Sequence, residues 1–460
     1  MKRDNEEARK STDSFPPFNN TRRDFIKLCS AATMGGVSSL LLPGASEAED
    51  FPGLLDTKLL QNVDSEFYWN LVRMQFVLKR GLIYMNTGTE GSMPRRVLLA
   101  LTRCFKEFAE NPWDAVVGND RFGALLKESR TQVAEFLGAK FEEILMTTNT
   151  TEGMSYTANG LDLGEGDEVL LTLHEHSAGR CCWELLRERR GVTLTQIELP
   201  TPADNKDEII AAFDAAITPQ TKVMSFCHIN YTTGLRMPVK ELCQLAQDHG
   251  IISVVDGAHA IGMINLNLDD LGCDFYATSP HKWLNAPPGT GVLYMREDAQ
   301  DLLWPTVTEG AASRGGGVPV FQGRGQQCTP AYACIKEALD FQNTIGKDKI
   351  EERILSLSTY LKDKIMENWG EDKLFSPTDP ELSSGLVSFN PFDDPFDGEK
   401  IKIYKRLRDE YRIIIRSVNF QDRHSDSQMK QAMRVSTHIY NNYSQIDELI
   451  STLKALMTDS

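Results

Sequence analysis

Positive charge is in deficit along this chain of 460 residues: 49 lysines and arginines stand against 65 aspartates and glutamates, a formal net charge of −16. Such a surface repels phosphate backbones and anionic lipid, so nucleic acid is not an expected partner. Aromatic residues make up only 8%, yet 41% hydrophobic and 25% charged residues are the proportions of an ordinary folded protein, which excludes disordered and collagen-like classes. Nine cysteines are an odd number at scattered spacings, and the adjacent Cys181 and Cys182 cannot pair easily, so no disulfide framework is expected. Beyond the amino-terminal segment no run of about 18 apolar residues occurs, and stable membrane insertion is not expected. The length suggests two or three domains with ample interior for a core.

The first 20 residues are polar and read as a leader. Thr21-Arg22-Arg23-Asp24-Phe25-Ile26-Lys27 follows, then an uncharged, mildly apolar stretch from Leu28 to Leu42, Pro43-Gly44, and the small-residue site Ser46-Glu47-Ala48. This resembles a bacterial twin-arginine signal peptide, with cleavage expected after Ala48. The resemblance implies the twin-arginine export machinery as a partner, a periplasmic or otherwise exported location, and transport of a folded protein with any cofactor already bound. Two arginines meeting by chance in a basic tail is the plainer reading of the same residues.

From about residue 84 to 296, short apolar runs alternate with helical patterns, the signature of a mostly parallel sheet covered by helices, an α/β architecture. The runs are Glu168–Leu173, Val223–Ile229, Ile251–Val255, Asp274–Ala277 and Gly291–Met295. Pro238 as a first helical residue, Val239, Leu242 and Leu245 on one face and Gly250 as terminator mark a crossover helix. Residues 305–330 are rich in Gly, Pro and Gln and read as a loop region. A long helix is expected from near Ala331, then a helix over Ile350–Trp369, a strand over Gly385–Phe389, a helix near Lys400–Tyr411, a run Ile413–Arg416 and a closing helix from about Gln445. The expected organisation is leader and signal 1–48, a segment 49–83 packing on the smaller domain, a large α/β domain 84–325, and a small α+β domain 326–460.

Chemistry concentrates at the expected strand ends. Ser279-Pro280-His281-Lys282-Trp283 follows one apolar strand, and Val254-Val255-Asp256-Gly257-Ala258-His259 ends another. In parallel α/β sheets ligands collect at the carboxyl ends of strands, so adjacent tips here offer a cation and an anion to one cleft. Thr147-Thr148-Asn149-Thr150-Thr151-Glu152-Gly153 precedes a helical pattern, where free N–H groups and hydroxyls suit an anion; an N-cap aided by Glu152 is the equally compatible structural reading. His174 and His176 alternate after a strand and could share a face as a metal pair, although Cys181-Cys182 and Cys227-His228 lack the usual ligand spacings.

The order of these segments, and the 26 residues between Asp256 and Lys282 (282 − 256), resemble the class V aminotransferase family of pyridoxal-phosphate enzymes, particularly its isopenicillin N epimerase-like branch. The resemblance covers nearly all of the chain after the signal. It implies fold type I, pyridoxal 5'-phosphate as cofactor, a small amino substrate, and a homodimer with its site at the subunit interface. It implies Lys282 as the Schiff-base lysine and proton carrier, and Asp256 as the acid that keeps the pyridine nitrogen protonated. Thr150, Thr151, Ser279 and His281 match positions that contact the phosphate. His176 matches the ring that stacks on the cofactor, His259 a residue near the ring hydroxyl, and Asn230 one that orients that hydroxyl, with Tyr231 as a competing alignment. Arg434, in Met433-Arg434-Val435-Ser436-Thr437-His438, matches the grip on the substrate carboxylate, and Asn86 an entrance loop near substrate.

The chain departs from relatives in two places. Cysteine desulfurases of this structural group carry a sulfur-accepting cysteine where Gln421 stands, so persulfide transfer has no attacking group here. Where relatives often carry a Gly-Thr pair reaching the partner subunit's phosphate, Phe321–Gln327 offers Gln326. The expected function is a pyridoxal-phosphate enzyme acting at the α-carbon of an amino acid by epimerisation, transamination or elimination. The alternatives are a noncatalytic exported binding protein on the same fold and a metal-dependent hydrolase using His174 and His176.

Overall fold

The five apolar runs all become strands of one seven-stranded sheet in the computed structural model of the chain. The structure describes residues 65–113, 121–309, 313–421 and 428–458, all within one compact unit, Leu54–Ser460. The expected leader, export signal and cleavage position after Ala48 lie outside the described residues.

In chain order the strands are β1 (Ile83–Tyr84), β2 (Ile144–Thr147), β3 (Glu168–Thr172), β4 (Thr193–Ile197), β5 (Thr221–Cys227), β6 (Ile252–Asp256), β7 (Phe275–Thr278), β8 (Gly291–Met295), β9 (Leu386–Phe389), β10 (Ile413–Ile414), β11 (Arg416–Gln421) and β12 (Met429–Ser436). The large sheet runs β2-β8-β7-β6-β5-β3-β4, with β8 antiparallel to both its neighbours and the other pairs parallel. Helices cover both faces, so β3, β6 and β7 read as near-continuous apolar runs. β2 and β4 carry weaker marks: the first is four residues long, and the second, on the sheet edge, keeps partly exposed Thr and Gln side chains. Pro238 caps the crossover helix Val239–Asp248 from just outside it, and Gly250 takes the left-handed conformation after it.

Residues 305–330 are not simply loop, because Val318–Gln322 is helical and Thr329–Ala333 begins a second helix there. The long helix expected from Ala331 is broken at Cys334 before Ile335–Ile345 resumes. Beyond it, β9, β11 and β12 form an antiparallel sheet ordered β11-β12-β9, and β1 pairs in parallel with β10. The expected run Ile413–Arg416 is interrupted at Ile415, which separates β10 from β11. Helices Lys347–Trp369, Ile403–Tyr411 and Tyr443–Thr458 close over one face with Leu357, Leu361, Leu407, Ile446, Leu449 and Leu453. At the amino-terminal side, helix Ser65–Met74 buries Tyr68, Trp69 and Val72 in a core shared with Ile350, Ile354 and Ile439. Among the described residues no helix is long and apolar enough to cross a membrane.

Candidate active site

The carboxyl ends of the parallel strands converge on one cavity of about 270 Å³. Asn149, Thr150 and Thr151 reach it after β2, His176 after β3, Tyr231 after β5, Asp256 and His259 at the end of β6, and Ser279, His281 and Lys282 after β7. Gly88, Thr89, Arg416 and Arg434 close the remaining side from β1's loop, β11 and β12. The fold thus unites residues that the sequence scatters over 346 positions, from Gly88 to Arg434 (434 − 88).

Lys282 is half-buried, its open side on this cavity. Depth within the protein pushes its amine down to about 8, with Asp256 acting in the opposite direction, Arg434 adding to the fall and Glu90 opposing it. A lysine at that value is a free amine about a tenth of the time at pH 7, against less than about a thousandth at its ordinary value, and the free amine is the form a nucleophile or proton acceptor needs. The backbone around it is fixed on three sides. The carbonyl of Trp283 accepts from Gln342 Nε2 at 2.9 Å and contacts His438 Nε2 at 3.1 Å, and Gly91 N–H donates to the carbonyl of His281 at 3.0 Å. A Cβ at Gly91 would sit 1.9 Å from the Lys282 carbonyl oxygen, so only glycine permits this approach.

Asp256 is buried, 4% exposed, and its Oδ1 accepts from Ala258 N–H at 3.0 Å. Among the described residues no other donor reaches this carboxylate, which leaves Oδ2 for a group in the cavity. Burial raises its pKa, with the Ala258 N–H and Lys282 opposing. Helix Ser177–Arg190 passes so close that a Cβ at Gly179 would lie 2.9 Å from Oδ2. Behind Asp256, Glu175 accepts from Thr172 Oγ1 at 2.6 Å, and burial pushes its carboxyl up to about 8, so it is mostly neutral at pH 7.

The three cavity histidines are held neutral. Burial lowers His176 to about 4, helped by Lys282, Arg416 and Arg434. Its Nδ1 accepts from Ala178 N–H at 3.2 Å, which caps the following helix and leaves the proton on Nε2, and the ring meets Tyr231 edge-on at 4.9 Å. His259, pushed well down by burial and then by Lys282, accepts from Trp283 Nε1 at 3.1 Å. His281, also lowered by burial, donates from Nδ1 to the Thr290 carbonyl at 3.0 Å and so keeps a lone pair on Nε2.

At the opposite end, helix Thr150–Gly160 points its amino terminus at the cavity. Asn149 Oδ1 accepts from Glu152 N–H at 2.9 Å, and Ser279 Oγ accepts from Thr150 N–H at 3.0 Å while lying 2.7 Å from Thr150 Oγ1. A helix start with adjacent hydroxyls is an anion cradle. Glu152 does not spoil it, because its carboxylate is paired with Arg324 and accepts from Thr148 Oγ1 at 2.6 Å. Gln326 is exposed and does not line the cavity; Arg324, two residues earlier, reaches helix Thr150–Gly160 through its pair with Glu152.

Two expected contacts, Asn230 and Asn86, are absent from the cavity lining. Asn230 does not line the cavity: its Oδ1 faces Cys227 Sγ at 2.5 Å in the wall behind, and Tyr231 is the cavity residue, because the turn after β5 directs successive side chains apart. Asn86 stands one step back, with its Oδ1 accepting from Thr89 Oγ1 at 2.9 Å and from Arg434 Nη2 at 3.5 Å. Arg434 is 1% exposed, donates to the Tyr231 carbonyl at 3.0 Å and to Thr89 Oγ1 at 3.2 Å, and burial followed by Arg416 lowers it to about 9. Arg416, Thr89, Glu90 and Glu175 escaped the sequence reading; only the position of Arg416 across from Arg434 could have marked it, and that pairing is tertiary. His174 and His176 do not share a site, since His174 is buried against Thr232 Oγ1 at 2.8 Å while His176 caps a helix. Among the described residues no group of three or more His, Cys, Asp or Glu is arranged to hold a metal ion.

A lysine and an acid at adjacent tips of a mostly parallel sheet, facing a helix-terminus anion cradle, define a fold type I pyridoxal-phosphate enzyme scaffold. The chain belongs to the family described as "Aminotransferase class-V", which matches residues 83–449. It is 30% identical over 403 residues to an isopenicillin N epimerase of Streptomyces clavuligerus, covering 84% of this chain and 98% of that one. It is 26% identical over 403 residues to a probable cysteine desulfurase of Pyrococcus abyssi, covering 84% and 97%. Among solved structures, the cystine C–S lyase C-DES in complex with its product cysteine persulfide superposes with a TM-score of 0.71 at 25% identity over 81% of this chain and 97% of that one. A mutant of C-DES with glycine covalently linked to its PLP cofactor gives a TM-score of 0.73 at 24% identity over 83% and 98%. Pyridoxal 5'-phosphate is the family's cofactor, and the residues present fit it: an unclaimed Asp256 oxygen, a lysine with a lowered pKa, and an anion cradle around one cavity.

Proposed function

We propose that this chain is a pyridoxal-phosphate-dependent enzyme that moves the α-proton of an amino acid, with epimerisation favoured among the reactions that begin this way. The observation that carries the reading is the Lys282 amine, held near pKa 8 in a cavity it shares with the buried Asp256. When bound, the cofactor supplies an electron sink for the carbon that loses its proton. Asp256 would hold a ring N–H with its free oxygen. Thr150, Thr151, Ser279 and the helix start would bind the phosphate, and His176 would supply a neutral ring against the cofactor. Lys282 would hold the cofactor through its amine and would take the α-proton on its own face, while inversion requires a proton to return from the opposite face. Arg434 grips the substrate carboxylate from the buried end.

Epimerisation is favoured by the 30% identical relative named for it, whose length the chain matches almost completely. Persulfide transfer is disfavoured by the cavity lining, which includes no cysteine among the described residues, and by exposed Gln421 at the end of β11. We further propose that the protein is a homodimer exported by the twin-arginine route. Purified protein incubated with L-amino acids in deuterated water should exchange the α-hydrogen and invert the centre. Lys282→Ala should cut exchange by about two to four orders of magnitude, and borohydride reduction of the native protein should attach the cofactor to the peptide containing Lys282. Full exchange in Lys282→Ala would overturn the reading.

A further inference from the structure

Two arginines face each other at the substrate end of the cavity. Arg416 and Arg434 are direct partners across the antiparallel pair β11–β12, a placement in which like charges destabilise a sheet. Both guanidinium groups donate to the same hydroxyl, Thr89 Oγ1, each at 3.2 Å. Among the described residues neither has a carboxylate within ion-pair distance. Arg434 is buried and Arg416 exposed, so the two charges lie at different depths of one cleft. The phosphate cradle at Thr150 and Ser279 is built from other elements and does not use either arginine.

We propose that the substrate is an amino acid with a second anionic group on its side chain, whose α-carboxylate meets Arg434 while the second anion meets Arg416 at the mouth. The inference rests on the function proposed above and deepens it by naming the substrate class. A monoanionic amino acid leaves one of the two charges uncompensated, whereas a dianionic one relieves the repulsion built into β11–β12. Arg434 recognises a group every amino acid has; Arg416 sets the preference among side chains.

The test compares glutamate with its neutral isostere glutamine, and 2-aminoadipate and phosphoserine with norleucine and serine, on the cofactor-loaded protein. Two readouts are followed: the thermal shift each ligand produces, which needs no turnover, and α-hydrogen exchange. The acidic member of each pair should bind about tenfold or more tightly, and raised salt should erode that preference because Arg416 is exposed. Arg416→Gln should remove the preference, Arg416→Lys should restore part of it, and Arg434→Gln should weaken acidic and neutral ligands alike. Which acidic ligand is strongest separates a carboxylate from a phosphate as the second group. Equal binding of acidic and neutral members in the native protein, or a preference that survives Arg416→Gln, would overturn the proposal. Acidic preference in the thermal shifts without exchange of any amino acid would sustain the site and sink the enzymatic reading instead.

Discussion

At the scale of single residues the site is an arrangement of proton affinities, and two of them give measurable pH dependences. Lys282 titrates near 8 in the folded protein, below the ordinary 10.5. Cofactor loading onto apoprotein needs the free amine, so its rate should rise with pH through about 8. Glu90, whose Oε1 is buried with no hydrogen-bond partner, lends Lys282 negative charge and raises its pKa. Glu90→Gln should therefore move the midpoint of the loading profile to lower pH, read by absorbance of the incorporated cofactor; an unmoved midpoint would remove Glu90 from the account.

Glu175 works in the other direction. Its carboxyl titrates near 8 when folded and near 4.5 when unfolded. Between those values the unfolded chain has released the proton and the folded chain still holds it, so this group makes the protein less stable as pH rises through that window. Glu175→Gln keeps an acceptor for Thr172 but cannot ionise. Native protein should lose more Tm than the variant between pH 5 and pH 8, by a few degrees at about 1 °C per kcal/mol for a chain of 460 residues. Parallel Tm curves would show that Glu175 is ionised in the fold.

At the scale of elements, the strands that carry the site were legible because burial on both faces forces apolar runs. Leu170, Val254 and Phe275 report their strands directly, whereas β4 hides behind Thr193 and Gln196 at a sheet edge. The tips of β6 and β7 were legible as chemistry because Asp256 and Lys282 are unusual residues at such positions. Arg416 was not, since its meaning depends on pairing with a residue 18 positions away across a hairpin (434 − 416). Asn230 and Tyr231 could not be separated because a turn, not a periodicity, decides which side chain enters the cavity.

Helix Ser177–Arg190 offers a test in which stability and function part company. Gly179 lies in its first turn, where alanine normally favours a helix by up to about 1 kcal/mol. A Cβ there would press on Asp256 Oδ2 at 2.9 Å, and Asp256 is held by Ala258 N–H and cannot easily yield. Gly179→Ala should leave Tm within a few degrees of native while weakening cofactor retention on dialysis at least tenfold. Full retention of cofactor would show that Asp256 does not need the position the structure gives it.

At the scale of the whole molecule, the proposed route of export and the architecture of the site constrain each other. The cavity draws on residues from Gly88 to Arg434, so it does not exist until the chain has folded. A route that threads unfolded chain would leave cofactor loading to the far compartment, whereas the twin-arginine route moves the finished fold. Arg22→Lys with Arg23→Lys keeps the charge of the pair and alters only the guanidinium groups of the proposed signal. The full-length double variant, expressed in a bacterium with that machinery, should collect in the cytoplasm with cofactor bound and with the spectrum of the native protein. The native protein should appear in the periplasm, shortened at Ala48 by mass spectrometry and already carrying cofactor. Export of the double variant at native yield, or native protein arriving without cofactor, would show that folding and loading do not precede transport.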